Sequence, residues 1–297
     1  MDVAVPPLSP DTIFMPLDQP LELKSTLESG QAFRWQQDGE WWWGVVGRHA
    51  YALRQVDGGL DVRSSSRSMS AAVTELHDFL RLDDDLDAVY QRLAVDQPLA
   101  KAVERYRGMR ILRQEPWECL ASFLCTPTSN ISRISANLKS VAETYGETLT
   151  LDGHRLYRFP GASRLAEAGE KGLRGLGLGF HGKFLAQAAK VVADGQLDLM
   201  ALRSASYQEA KTALLELPGV GDKVADCVLL FSLEKLDGFP VDRWVRRALV
   251  DWYGHPEKAK YRDLLEWAQT KWGSDAGYVQ QYLFHHRRLQ DASDRAD

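Results

Sequence analysis

Between Ser206 and Leu233 the sequence encodes two helices joined by a connection too short for anything but a tight hairpin. Ser206-Tyr-Gln-Glu209 has the form of a capping box, in which serine and glutamate satisfy orphan N–H groups at the helix start. Ala210, Ala213, Leu214 and Leu217 then fall at i, i+3, i+4 and i+7, one helical face. Pro218 and Gly219 stop that helix. Asp222 suits the first turn of the next one, whose apolar face continues through Val224, Val228 and Phe231. The corner is therefore the stretch "LPGVGDKVADC", Leu217 to Cys227. Its glycines permit positive φ and close approach of another backbone, so the N–H groups of Gly219, Gly221 and Val224 could hold a phosphate.

Lys223 is out of place in that corner. A helix N-terminus carries partial positive charge and favours anions. The position disfavours an ammonium ion and so favours the free amine that a nucleophile needs. The plain alternative is a helical corner with a solvated lysine. Asp242, in "FPVDRWV", reads as the N-cap of a following helix, and capping alone would account for it. An exposed-looking lysine in a glycine hairpin, followed at short range by such an aspartate, is much rarer than either part.

The rest of the chain fits an α+β organisation. Residues 31 to 64 read as a β-meander: "QAFRWQ", the turn Asp38-Gly39, "EWWWGVVG", "AYALRQV", the turn at Asp57-Gly58-Gly59 and "LDVRS". From Ser70 the apolar spacing is helical, "LDDDLD" reads as a helix start, and "AKAVERYRG" as a helix ending at Gly108. "PWECLASFLC" is a strongly apolar helix with Pro in its first turn. The expected division is an N-terminal antiparallel β domain with flanking helices over 1–105 and a helical body over 106–297, with the helix-hairpin-helix at 206–233. A chain of 297 residues suits one large or two ordinary domains.

The net charge of −5 argues against a protein that simply coats nucleic acid with basic charge, but a phosphate backbone sees local charge. From Lys171 to Ala193 there is no Asp or Glu, only Lys171, Arg174, Lys183 and Lys190; Arg243, Arg246 and Arg247 cluster later. The alternative for both groups is an ordinary solvated face. Cys119, Cys125 and Cys227 are an odd, sparse set, which reads as reduced thiols. The start "MDVAVPPLSPD" has no apolar signal core, and the end "DASDRAD" reads as a frayed polar tail. The expected setting is a bacterial or archaeal cytoplasm, with a nucleus left open. No apolar run reaches membrane-spanning length. No side-chain cluster has metal-ligand spacing.

Six stretches in order, "SGQAFRW", "LRQEPWECLASFLC", "LGLGF", "LPGVGDKVADC", "PVDRWV" and a C-terminal "LF", resemble the 8-oxoguanine branch of the helix-hairpin-helix DNA glycosylases. The resemblance covers roughly residues 20 to 290. It implies a bifunctional DNA glycosylase and AP lyase, acting on double-stranded DNA that contains an oxidised purine, as a monomer and without a cofactor. It implies that Lys223 attacks the sugar C1′, that the Schiff base permits β-elimination, and that Asp242 stabilises the cationic sugar. The base, flipped from the stack, would sit between Cys227 and Phe284, with Phe231 lining the pocket, Gln280 reading the Watson–Crick edge and the Gly30 carbonyl testing N7.

The opposite base and wedge positions would be Thr128, Asn130, Arg133, Phe180 and His181. Several of these depart from the pattern best known in eukaryotes. Thr128-Ser129-Asn130 replaces an asparagine run, Phe180 a tyrosine, His181 an arginine and Trp244 a histidine. The departures put strict preference for an opposing cytosine in doubt. The family's hairpin carbonyls, here Leu215, Leu217 and Val220, can hold a structural cation. Three other readings stay open. An iron–sulfur adenine glycosylase or endonuclease wants four C-terminal cysteines, and none follows Cys227. An alkyladenine glycosylase keeps the aspartate without needing the lysine. A non-catalytic DNA-binding module would use the hairpin only as a clamp and leave Lys223, Asp242 and Gly30 jointly without a task.

Overall fold

Trp42 and Trp43 are neighbours in sequence, and both are buried. Successive residues of a strand face opposite sides of a sheet, so a sheet carrying this pair needs cover on both faces. A computed structural model describes residues 12–293 and supplies both covers. The sheet runs β1 (Ile13–Pro16), β2 (Gln36–Asp38), β3 (Trp41–Val46), β4 (His49–Val56) and β5 (Gly59–Ser64), with α1 (Leu23–Glu28) between its first two strands. All pairings are antiparallel, in the order β1-β5-β4-β3-β2. Trp42, Tyr51, Leu53, Leu60 and Val62 face one core with α1 and α2 (Met69–Phe79). Trp43, Ala50 and Ala52 face the other side.

The helical body comprises α3 (Leu86–Leu93), α4 (Gln97–Arg105), α5 (Pro116–Leu124), α6 (Ile131–Tyr145), α7 (Ala162–Leu173), α8 (His181–Ala193), α9 (Tyr207–Leu215), α10 (Asp222–Ser232), α11 (Arg243–Tyr253), α12 (Tyr261–Trp272) and α13 (Ala276–Ser293). A hairpin of β6 (Thr148–Leu151) and β7 (His154–Tyr157) interrupts it. This hairpin is the second cover: Leu151 joins the Trp43 core, and the His154 ring stacks on Trp43 at 3.7 Å. One large apolar core fills the helical body, and α3 and α4 contribute Leu86, Val89, Tyr90, Leu93, Leu99 and Ala102 to it.

Residues 109–114 form the seam between the cores. Met109 and Ile111 belong to the helical core and Leu112 to the sheet core. Gln31 stitches this seam from the other side. Its Nε2 donates to the carbonyls of Thr26 (2.9 Å) and Arg110 (2.8 Å), and its Oε1 accepts from Leu112 N (2.8 Å).

Three details differ from expectation. "QAFRWQ" is not a strand up to Gln36: the ladder with β3 begins only at Gln36, and the Gln31 carbonyl accepts from the Gln114 side chain at 2.8 Å. The strand β1 and the β6–β7 hairpin were not foreseen. The stretch read as a frayed tail is helical as far as Ser293. The readings of residues 1–11 and 294–297 lie outside the described residues. Among the described residues no helix is long and apolar enough to cross a membrane.

Candidate active site in the interhelical cleft

Local signals place the two central side chains. The capping box at Ser206 forms as read, with both of its reciprocal bonds. Gly219 adopts φ +86, and a Cβ there would lie 2.5 Å from Phe184 Cγ, so this corner needs a residue without a side chain. Gly221 is different. Its φ is −105, and a Cβ would meet nothing within 4 Å. As N-cap of α10 it makes no side-chain cap, so the first-turn N–H groups keep no side-chain partner there. Lys223 follows in that turn. Asp242 caps α11, its Oδ1 accepting from Trp244 N and Val245 N at 2.9 Å each.

The two helix starts open on one cleft of about 1140 Å³. It is lined by Gly30, Thr128, Asn130, Arg133, Gly219, Gly221, Lys223, Val224, Asp242 and Phe284 of the expected residues. Burial pushes the Asp242 carboxyl above its ordinary value, against the pull of the Val245 N–H and the Lys223 charge. The Lys223 amine donates to Thr126 Oγ1 at 3.2 Å and stands 5.0 Å from the centre of the Phe123 ring. No carboxylate of the described residues forms an ion pair with it. Thr126 went unnoticed in the sequence, and only its place in "LCTPTSN" could have marked it.

The expected base pocket is brought together in part. Gly30 has φ +74, and a Cβ would lie 3.2 Å from the Phe284 ring and 3.1 Å from Ile131. Its neighbours are pinned: Ser29 O accepts from Gln281 Nε2 of α13 at 2.9 Å, and Gln31 is held as described above. Cys227 lies one turn behind Lys223, buried and outside the cleft lining. Burial raises its thiol to about 12, so it is a neutral, unreactive sulfur. Phe231 is a layer deeper, stacked on Phe123 at 5.5 Å. Gln280 is also buried outside the lining; its Nε2 donates to Pro240 O at 3.2 Å, and its Oε1 has no partner.

The remaining positions separate. Asn130 caps α6, accepting from Arg133 N at 2.9 Å, while Arg133 itself is exposed. Phe180 is 49% exposed ahead of α8, outside the cleft lining. His181 turns inward, with Nε2 2.9 Å from Pro127 O and Nδ1 3.1 Å from Leu178 O. The ring therefore braces the loop 126–130 instead of presenting a donor to the cleft.

The basic stretch is partly neutralised from its flanks. Arg174 pairs with Glu170 and Lys190 with Asp194, each at 2.8 Å. Arg247 pairs with Asp291, whereas Arg243 lies at the cleft with its guanidinium 4.5 Å from the centre of the Trp244 ring. Leu217 O accepts from Val220 N at 3.1 Å and keeps a second lone pair. A main-chain carbonyl with a lone pair to spare is a donor of the kind a hard cation takes.

Residues 13–120 match the family described as 8-oxoguanine DNA glycosylase, N-terminal domain. N-glycosylase/DNA lyase OGG1 of Arabidopsis thaliana is 34% identical over 280 residues, 89% of this chain and 76% of that one. The N-glycosylase/DNA lyase of Saccharomyces cerevisiae is 30% identical over 309 residues, 88% of this chain and 82% of that one. Among solved structures, the Clostridium acetobutylicum 8-oxoguanine glycosylase/lyase, in complex with double-stranded DNA containing cytosine opposite 8-oxoG, superposes with a TM-score of 0.87. It is 28% identical, and the match covers 94% of this chain and 98% of that one.

Proposed function

The chain belongs to the 8-oxoguanine DNA glycosylase family of N-glycosylase/DNA lyases, and from that premise we propose that it releases 8-oxoguanine from duplex DNA through a covalent Lys223 intermediate and then cuts the strand by β-elimination. The observation that carries this reading is the pairing of an amine without a carboxylate partner and a half-buried carboxylate across one cleft. A lysine held in an ion pair would be a poor nucleophile.

The steps follow from these groups. DNA phosphates dock on the N–H groups of Gly219, Gly221 and Val224, at the positive end of α10. The damaged base leaves the stack and enters beside Phe284. An N–H donor on its Watson–Crick edge supplies the partner that Gln280 Oε1 lacks. The C1′–N9 bond breaks, its electrons leave with the base, and Lys223 Nζ forms the new bond to C1′. The Asp242 carboxylate lies near the positive charge that develops on the sugar. The nitrogen then loses a proton, the C1′–O4′ bond breaks with its electrons going to O4′, which takes up a proton, and the opened sugar is left joined to Lys223 as the imine. Removal of a C2′ proton then expels the 3′ phosphate oxygen, and water hydrolyses the imine to free the lysine.

Borohydride reduction tests the reading. Wild-type protein on an 8-oxoguanine duplex gives a covalent adduct, and Lys223→Gln binds the duplex but gives none, because phosphate contacts come from backbone N–H groups. Normal trapping by the variant would remove Lys223 from the chemistry.

A further inference from the structure

Asp226 lies three residues after Lys223 on α10 and is fully buried. A buried carboxylate is tolerated when its lone pairs are satisfied, and three donors reach this one. Tyr207 Oη donates to Oδ1 at 2.5 Å, Tyr261 Oη to Oδ2 at 2.5 Å, and Lys211 Nζ to Oδ2 at 3.0 Å. Tyr207 and Lys211 come from α9, Tyr261 from the start of α12.

Tyr261 has a second bond that Tyr207 lacks. Val241 N lies 3.3 Å from Tyr261 Oη. The direction is forced: an amide N–H can only donate, and the phenol has already given its one hydrogen to the carboxylate. Val241 immediately precedes Asp242. A continuous chain thus runs from α10, which carries Lys223, through Asp226 and Tyr261 to the backbone that carries Asp242. Each bond in it polarises the next. Tyr261 also lines the cleft.

We infer that Tyr261, held by Asp226, is a positioning residue that fixes the Asp242 carboxylate relative to Lys223. Burial pushes the Asp226 carboxyl up against the pull of Lys211 and the two phenols. The inference rests on the glycosylase and lyase reading of the cleft.

The test compares Tyr261→Phe with Tyr207→Phe. Each removes one phenol from Asp226, and only the first also releases Val241. Three quantities are measured at a temperature where both variants remain folded: thermal stability, single-turnover release of 8-oxoguanine, and borohydride trapping on a duplex with a preformed abasic site. Base release in Tyr261→Phe is expected at least about tenfold below Tyr207→Phe, the scale of effect a misplaced catalytic group produces. Trapping at the abasic site, which needs Lys223, is expected to stay close between the two. Equal base release in the two variants, or trapping that falls in step with base release in Tyr261→Phe, overturns the inference and makes Tyr261 a structural residue. Wild-type protein that neither releases the base nor traps would remove the underlying reading as well.

Discussion

The ε-amine of Lys223 donates to the Thr126 hydroxyl at 3.2 Å, and that hydroxyl gives its own hydrogen to the Phe123 carbonyl at 2.8 Å. The hydroxyl oxygen is thereby fixed as an acceptor facing the amine. Thr126→Val keeps the side-chain shape and removes both bonds. One such bond is worth about 1 kcal/mol, so base release and abasic-site trapping should each fall roughly fivefold, with Thr126→Ser restoring most of the loss. Unchanged trapping in Thr126→Val would mean that the hydroxyl does not orient the nucleophile.

Asp242→Asn separates capping from chemistry. Asparagine caps as well as aspartate, so the helix start survives while the charge is lost. Excision should drop strongly. The stability effect has a definite sign. Burial raises the Asp242 carboxyl in the folded protein, so the native state holds that proton more tightly than the unfolded chain. The stability linked to it is present below the ordinary Asp value, about 3.9, and is lost as pH rises through the folded value. At pH 7 the ionised carboxylate is a net cost that asparagine avoids. The variant should therefore melt at or above the wild-type temperature at neutral pH, with the gap closing as the solution is acidified. A variant that melts well below wild type at pH 7 contradicts this argument.

How much of this could be seen beforehand depended on the range of the signal. The capping box at Ser206, the hairpin glycines and the Asp242 cap are local patterns, and each forms where the residues indicated. Thr126 and Tyr261 were silent because their contacts, to Lys223 and Val241, join segments far apart in the chain. The β6–β7 hairpin turns at Asp152-Gly153, the same dipeptide as Asp38-Gly39, but its four-residue strands are too short for alternation to stand out. Gln31 misled for a different reason: its carbonyl takes a hydrogen from the side chain of Gln114, far along the chain, in place of a neighbouring strand.

The two hairpin glycines should part company on substitution. Gly219→Ala meets a left-handed backbone, worth about 1–2 kcal/mol, and the Phe184 ring besides. It should destabilise the fold. Gly221→Ala meets neither, and a lower unfolded-state entropy could even raise stability by about 0.4–1 kcal/mol. Its methyl enters open space at the α10 N-cap, beside the N–H groups proposed to hold a phosphate. The expected outcome is a folded protein with weakened affinity for undamaged duplex. If Gly221→Ala binds duplex as wild type does, the phosphate does not come this close.

Gly30→Ala should strike recognition ahead of strand cleavage. The added methyl would crowd the Phe284 ring and Ile131 at 3.2 and 3.1 Å, on a backbone with φ +74. Phe284, beside which the base is expected, and Ile131 must then give by a few tenths of an ångström. Release of 8-oxoguanine should fall while cleavage at a preformed abasic site, which has no base to seat, is largely spared. An equal fall in both activities would mark Gly30 as a folding residue.

Discrimination of the opposite base should be weak. His181 is turned to the carbonyls of Pro127 and Leu178, Asn130 spends its Oδ1 on its own helix cap and keeps only its Nδ2 donors, and Phe180 offers only an aromatic face. That leaves Arg133 as the exposed cation at the cleft among the expected readers. A single bidentate contact supplies about 1–3 kcal/mol of discrimination, and an arginine that also serves nearby phosphates supplies less. Single-turnover release opposite C, A, G and T should therefore span less than about a hundredfold, and Arg133→Ala should flatten what preference exists. A preference for C well beyond that range, or one that survives Arg133→Ala, would require a reader elsewhere in the cleft.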